Sequence, residues 1–183
     1  MPATRTGIHS SSRRSSLTRK SLSKPPLSSQ RSAKSRLSKC SEKSAALDRV
    51  YTDAILAIKP EFTDLIMARR KNHEYRSYKM RETVVRIWLY TTAPKSAITH
   101  VMVTALPKSP GEVCDSVGVG NDEFDNGLTT FKFGYPVLGL HSLEVPIKLD
   151  VMKKYGVLPP QGLVYAPMKL VDDFPLSEMK VIF

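Results

Sequence analysis

Cysteine is scarce. The 183-residue chain has two, Cys40 and Cys114, and neither belongs to a Cys-x-x-Cys pair. That spacing excludes a disulfide framework and a zinc–thiolate centre, and it points to a reducing, intracellular compartment. No run of about 18 apolar residues occurs, so no transmembrane helix and no membrane partner are expected. No apolar stretch of about 7–15 residues lies near the N-terminus, so no secretory signal is expected either. Nucleotide and hydrolase signatures are missing. Gly118-x-Gly120 has Glu123 where a dinucleotide fingerprint needs its third glycine, and a carboxylate there would repel a pyrophosphate. Asp122-x-x-Asp125-Asn126-Gly127 is acidic but lacks calcium-loop spacing. No Gly-Lys-Ser/Thr, His-Glu-x-x-His or Gly-x-Ser-x-Gly is present. No metal site and no cofactor are predicted.

Acidic residues are also few, 17 against 28 Lys and Arg, for a net charge of +11. The excess is local. Residues 1–43 hold eleven bases and a single acid, Glu42, a net of +10, so the rest of the chain is almost neutral. The same stretch has thirteen serines and no aromatic residue; the first tyrosine is Tyr51. Its apolar residues are isolated, with no helical or strand period, and cannot bury enough area to offset the entropy of ordering. Residues 1–45 are therefore predicted to be a disordered basic tail, and residues 46–183 the folded domain. Scattered Lys and Arg in such a tail would meet phosphates of RNA, or of DNA, without sequence preference. Arg13-Arg14 and Arg19-Lys20 suit nuclear import, and the Arg/Ser-rich, acid-poor composition suits a mitochondrial presequence, although Pro25-Pro26 interrupts an amphipathic helix. Nuclear or cytoplasmic residence is favoured, mitochondrial residence the alternative. Ser15 and Ser16 follow a basic pair, and phosphorylation there would cut the tail's charge.

The domain begins with a buried strand at Ile55–Ile58. Pro60 suits the first position of a helix, and Phe62, Leu65, Ile66 and Arg69 recur at helical spacing, predicting a helix over 60–70. Strands are predicted at 72–78, at Val84–Thr91 and at Ala97–Leu106. Residues 107–130, punctuated by Gly and Pro and acidic at Asp122, Glu123 and Asp125, read as a long excursion with one helical turn. Phe131–Glu144 returns to strand with a bend. Pro146 opens a second helix over 146–155 that Gly156 stops, and strands follow at Leu163–Tyr165 and Lys180–Phe183. Strands do not alternate with helices, which disfavours a doubly wound parallel sheet. The fold class is mainly β with short helices (α+β), a small barrel or curled sheet with two helices.

The order strand, Lys-Pro, helix, Lys-x-x-Glu-x-Arg, strand resembles the ASCH domains of the PUA-like superfamily. The residues are Ile55-Leu56-Ala57-Ile58-Lys59-Pro60, Glu61 to Ile66, and Lys71-Asn72-His73-Glu74-Tyr75-Arg76. Further on, Trp88 to Thr92, Val145 to Leu149 and Pro159 to Tyr165 resemble the family's later strands and closing helix, so the likeness spans roughly 55–165. It implies a PUA-like mixed β-barrel with a cleft beside the first helix, and binding of RNA or modified nucleosides; some small members are amidohydrolases on acetylated cytidine. The chain departs from the family pattern at Ala57, where Ser is common, at Ala68-Arg69, where Ser-Gly is usual, and at Asn72, where Thr is common.

Lys59, Lys71, Glu74 and Arg76 are the candidate ligand-binding group. Lys and Arg can meet a phosphate or a base carbonyl, and a carboxylate can accept from an exocyclic amine. Glu74 and Arg76 share a strand face by alternation, whereas His73 lies on the other. Tyr75, Tyr78, Trp88 or Tyr90 would supply a stacking face, with Trp88 and Tyr90 chosen. His100 and His141 are expected to be structural. Three functions compete. The first is an RNA- or modified-nucleobase-binding module with a basic tail. The second is an amidohydrolase on an acetylated cytidine-type nucleoside, with Lys71 and Glu74 catalytic. The third is a protein-interaction domain whose tail is regulated by phosphorylation.

Overall fold

β1 (Arg49–Ile58) shows why both faces of this sheet are buried. Along its apolar half, Ala54, Leu56 and Ile58 enter one core while Ile55 enters another, as the two-residue period of a strand requires. The computed structural model describes residues 48–183; the expectations placed on the tail at residues 1–45 fall outside the described residues.

After β1 come α1 (Pro60–Met67), β2 (His73–Arg76), β3 (Arg86–Thr91), β4 (Ala97–Val103), α2 (Asn121–Asp125), β5 (Phe133–Pro136), β6 (Gly139–Lys148), α3 (Leu149–Lys154), β7 (Val164–Pro167), α4 (Met168–Asp173), a 3₁₀ turn (Leu176–Glu178) and β8 (Lys180–Val181). Six strands form one mixed sheet in the order β7-β1-β3-β4-β6-β8, and β2 pairs with β5 in a second, two-stranded sheet. β1 and β3 are parallel and the remaining pairings antiparallel. The parallel pair is what α1 and β2 make possible: parallel neighbours need a crossover between them.

The class expected from the sequence, mainly β with short helices, is the class observed. The barrel is less closed than expected. Among the described residues the edges β7 and β8 are not hydrogen-bonded to each other. β8 meets β6 only at His141 and Ser142, and two residues are too few to bridge to the far edge; such short edge strands also discourage pairing with another chain.

The helices differ in one instructive place. Pro146 does not open a helix. It remains in β6, and α3 starts at Leu149. The ladder between β4 and β6 shifts register between Ile98, opposite Ile147, and His100, opposite Ser142. Pro146 sits in that irregular stretch, where the missing N–H breaks no ladder bond. α4 and the 3₁₀ turn were not expected, because their residues carry few of the signals that mark a helix start or stop. The excursion over 107–130 does contain its one helical turn, α2.

One core, around Ile55, Trp88, Tyr90, Ile98, Ile147, Met152 and Leu170, lies on the face that α3 and α4 cover. The other, around Leu56, Ile66, Ile87, Leu89, Met102, Tyr135 and Leu140, lies on the face that α1 and β5 cover. A small third cluster joins Tyr75 to Val113 and Phe124 of the excursion. The candidate site grows from the second face, where α1 hands the chain to β2.

Candidate functional site

α1 begins as its sequence directs, with Pro60 at its first position and Lys59 extended before it. It ends by a left-handed turn. Arg69 has φ 56°, and Arg70 and Lys71 both return N–H bonds to the Leu65 carbonyl, at 2.9 and 3.1 Å. A left-handed residue is the usual way to satisfy the last carbonyls of a helix, and glycine is the usual occupant. A side chain there costs about 1–2 kcal/mol. Arg69 thus stands, strained, at the position where ASCH sequences commonly have glycine.

The turn delivers Lys71 into the interior. Its Nζ lies 3.6 Å from Glu74 Oε2, with both side chains 7% exposed. Arg76 Nη2 holds the other carboxylate oxygen at 2.9 Å and donates to the Ala57 carbonyl of β1, also at 2.9 Å, which anchors β2 to the main sheet. Glu74 Oε2 has no hydrogen-bond partner among the described residues; at 3.6 Å Lys71 is its counter-charge, outside hydrogen-bonding range. Burial lowers the Lys71 pKa below the ordinary lysine value, Glu74 opposes that shift, and Arg76 adds to it. The Lys71 ammonium also faces the Tyr75 ring at 4.6 Å and the Phe62 ring at 5.5 Å, within cation–π range.

Asn72 fastens the excursion to this strand. Its Nδ2 donates to Asp115 Oδ2 at 2.6 Å, and its Oδ1 accepts from Asn121 Nδ2 at 3.0 Å and lies 3.0 Å from His73 Nδ1. Asn121 Nδ2 also donates to the Asp115 carbonyl at 2.6 Å, and Tyr75 Oη donates to Asn121 Oδ1 at 2.5 Å. The backbone adds Val119 N to the Arg70 carbonyl at 2.8 Å and Val137 N to the Asn72 carbonyl at 2.9 Å. Gly118 is required at the join: a Cβ there would stand 2.1 Å from Asn72 Oδ1. Burial, aided by the nearby Lys108, lowers the His73 pKa.

Beside Lys71 a pocket of about 290 Å³ opens, lined by Arg69, Lys71, Asn72, Val137, Leu138 and Phe183. That volume is near the lower end of small-molecule sites, roughly 300–1,000 Å³. The Arg69 guanidinium carbon stands 4.4 Å from the centre of the Phe183 ring. Phe183 is itself pinned, its carbonyl accepting from Leu140 N at 3.0 Å.

The structure therefore brings together Lys71, Glu74 and Arg76 of the predicted set. Lys59 does not join them. It is exposed and pairs with Glu61 at 3.8 Å. Trp88 and Tyr90 are not stacking faces: they are 1% and 7% exposed in the core beneath α3 and α4, and Trp88 Nε1 donates to the buried Asp53 at 2.9 Å. Tyr75 packs on Phe124, with ring centres 4.5 Å apart. Arg69 and Phe183 as pocket residues, and Asn72, Asp115 and Asn121 as the clasp, were not expected from the sequence. The signal available for Arg69 was its place, two residues before Lys71, where glycine is usual.

Comparison with solved structures finds the ASCH protein of Zymomonas mobilis at 18% identity and a TM-score of 0.52, over 72% of this chain and 98% of that one. A serine-to-alanine variant of that protein matches at 19% identity and a TM-score of 0.53, over 72% and 99%. A tyrosine-to-phenylalanine variant matches at 18% and 0.50, over 70% and 99%. The chain has the ASCH fold. No protein-family model matches it, and no curated protein does.

Proposed function

We propose that this ASCH-fold domain binds single-stranded RNA or a modified nucleobase at the pocket beside Lys71. The observation that supports this most is the buried charge cluster: Lys71, counter-charged by Glu74 at 3.6 Å, lines a cavity of about 290 Å³. Ion pairs buried this deeply cost desolvation and are poor devices for stability alone. Arg76, itself bonded to the Ala57 carbonyl, fixes the Glu74 carboxylate, and a ligand reaching the Lys71 amine beside it would meet donors on a positioned side chain. Unpaired bases are the nucleic-acid elements that such pockets take, because their edges and faces are free. The tail would add affinity that depends on salt and not on sequence.

Lys71→Met keeps the apolar stem and removes the donor. In fluorescence anisotropy with single-stranded RNA at physiological salt, the full chain should bind saturably and the variant at least about tenfold more weakly, the scale of one charge-assisted hydrogen bond. Equal binding by the two proteins, or no binding by either, would overturn the proposal.

A second reading has one observation in its favour, the Lys71 amine lowered by burial beside a carboxylate. In that reading Lys71 accepts a proton from water, the hydroxide adds to the carbonyl of an N-acetylated cytidine, and the proton passes to the departing exocyclic amine as acetate forms. Incubation with N-acetylcytidine decides it: acetate release that Lys71→Met abolishes supports the chemistry, and no release by the native protein ends it.

A further inference from the structure

At the edge of the main sheet, where β7 pairs with β1, two tyrosines and two arginines gather. The Arg81 guanidinium carbon, from the connection between β2 and β3, stands 3.9 Å from the centre of the Tyr51 ring and 5.8 Å from that of Tyr165. The two rings meet edge to face, with centres 5.1 Å apart. Tyr51 is 45% exposed, and Arg81 is exposed beside it. Three hydrogen bonds fix the arrangement. Arg81 N donates to Tyr165 Oη at 3.2 Å, Thr83 Oγ1 to the Tyr51 carbonyl at 2.7 Å, and Arg49 Nη1 to the Tyr165 carbonyl at 2.9 Å.

The positive charge here is not compensated. Among the described residues neither Arg49 nor Arg81 forms an ion pair, and the adjacent Glu82 is taken by Lys79 at 2.9 Å. A guanidinium carries five N–H donors. Arg49 spends two of them on carbonyls, at 2.9 and 3.4 Å, and the rest remain for an anion.

A carboxylate from a protein partner would use those donors and leave the exposed ring idle. A nucleotide in a single strand uses both. Its flat base packs on aromatic and guanidinium surface, and its phosphates accept from arginine. The roles fall on different parts of the ligand: the base is held by contact alone, and the in-plane donors go to phosphates. Every base has a face to offer, so such a surface does not select among bases. Paired bases are already stacked on their neighbours, so the strand must be single.

We propose that Tyr51, Tyr165, Arg49 and Arg81 form a second contact surface for single-stranded RNA. It takes one unpaired base of any identity at the Tyr51–Arg81 pair and the adjoining phosphates at the two arginines. It shares the ligand class of the reading above and not its site, since the Lys71 pocket contributes no residue to it.

The test uses the full chain with labelled oligouridine and oligoadenosine of about twelve residues, within the span one such module covers. In fluorescence anisotropy at physiological salt, Tyr51→Leu should weaken binding of both by at least about fivefold, the lower limit for one base–aromatic stack. It removes no charge, so the slope of log affinity on log salt should stay at the native value. Binding of a fully paired RNA duplex should not change. Arg81→Gln, at an exposed position, should weaken both oligomers and reduce the slope by about 0.7, one phosphate contact; it keeps the test decisive if Tyr51→Leu does not fold. Tyr51→Leu with native affinity for the oligomers, or with an equal loss on the duplex, overturns the surface whatever Lys71→Met does. Loss in Arg81→Gln alone means a surface that reads charge only, as an acidic peptide would use it, and overturns the proposal too. A native chain that binds neither oligomer overturns both this surface and the Lys71 pocket.

Discussion

His100 illustrates how burial writes pH dependence into a single residue. It lies in β4, 6% exposed, with Nδ1 2.8 Å from Thr99 Oγ1, and Thr99 continues to Thr91 at 2.7 Å. Desolvation lowers its pKa below the ordinary 6.5; Lys95 lowers it further and Asp64 opposes. The folded state therefore resists the proton that the unfolded chain accepts. Stability is complete above pH 6.5 and falls as the pH drops from 6.5 toward the depressed folded value, because the unfolded state binds more protons there. Urea midpoints measured from pH 7.5 to 5.5 should decline in the native protein and decline less in His100→Gln. A variant with the same slope as the native chain would show that His100 is not the group responsible. His73, lowered for the same chief reason, contributes the slope that remains.

At the scale of elements, the excursion over 107–130 is what separates this site from a bare strand pair. It is held by Asp125, whose carboxylate accepts from the backbone of Gly111, Val113 and Cys114 at 3.0, 3.2 and 2.7 Å. It is held to β2 by the Asn72–Asp115–Asn121 clasp. The join has no room for a methyl group at Gly118, where a Cβ would meet Asn72 Oδ1 at 2.1 Å and Asn121 Nδ2 at 2.5 Å. Gly162, in the turn before β7, has nothing within 4 Å of the same atom. Gly118→Ala should destabilise the domain by about 1–3 kcal/mol, the usual cost of overpacking, and should speed amide exchange across 113–126. Gly162→Ala should be neutral or slightly stabilising. Chemical denaturation of the pair, read with hydrogen exchange, checks both; equal stabilities would mean that the clasp yields more readily than its short hydrogen bonds indicate.

The strand that carries the site was legible at this scale, and its surroundings were not. Lys71-x-x-Glu74-x-Arg76 follows a helix start marked by Pro60 and an apolar stripe, all local signals that survive folding. In β3, strand alternation puts Trp88 and Tyr90 on the face opposite Ile87 and Leu89. What lies against that face was decided by α3 and α4, and so two side chains chosen for stacking became core. His73 and Glu74 point to opposite faces as predicted, yet both are buried, because the two-stranded sheet has the main sheet on one side and the excursion on the other.

For the whole molecule, the division of charge is the governing fact. The first 43 residues carry a net of +10 out of +11, while the pocket depends on a few buried groups in a nearly neutral domain. If RNA binding combines the two, deleting residues 1–43 should flatten the dependence of log affinity on log salt, since each phosphate neutralised contributes a slope of about 0.7 on single strands. The same deletion should leave base preference unchanged. Salt titrations of the full and shortened chains against one RNA measure the slope directly. A shortened chain with the full slope, or one that loses preference as well, would show that tail and pocket do not act separately.

The amino-acid sequence alone determined the features whose causes are local. These are the basic, aromatic-free first segment, the Pro60 helix, the two-residue periods of the strands, and the Lys, Glu and Arg spaced along β2. The tertiary structure decided what depends on residues distant in the chain. It left the sheet open between β7 and β8, buried Trp88 and Tyr90, set Lys59 apart, and brought Arg69 and Phe183 together over one cavity. A residue's secondary structure follows largely from its neighbours in the chain; its exposure and its partners follow from which faces pack together, and that is known only once the whole chain has folded.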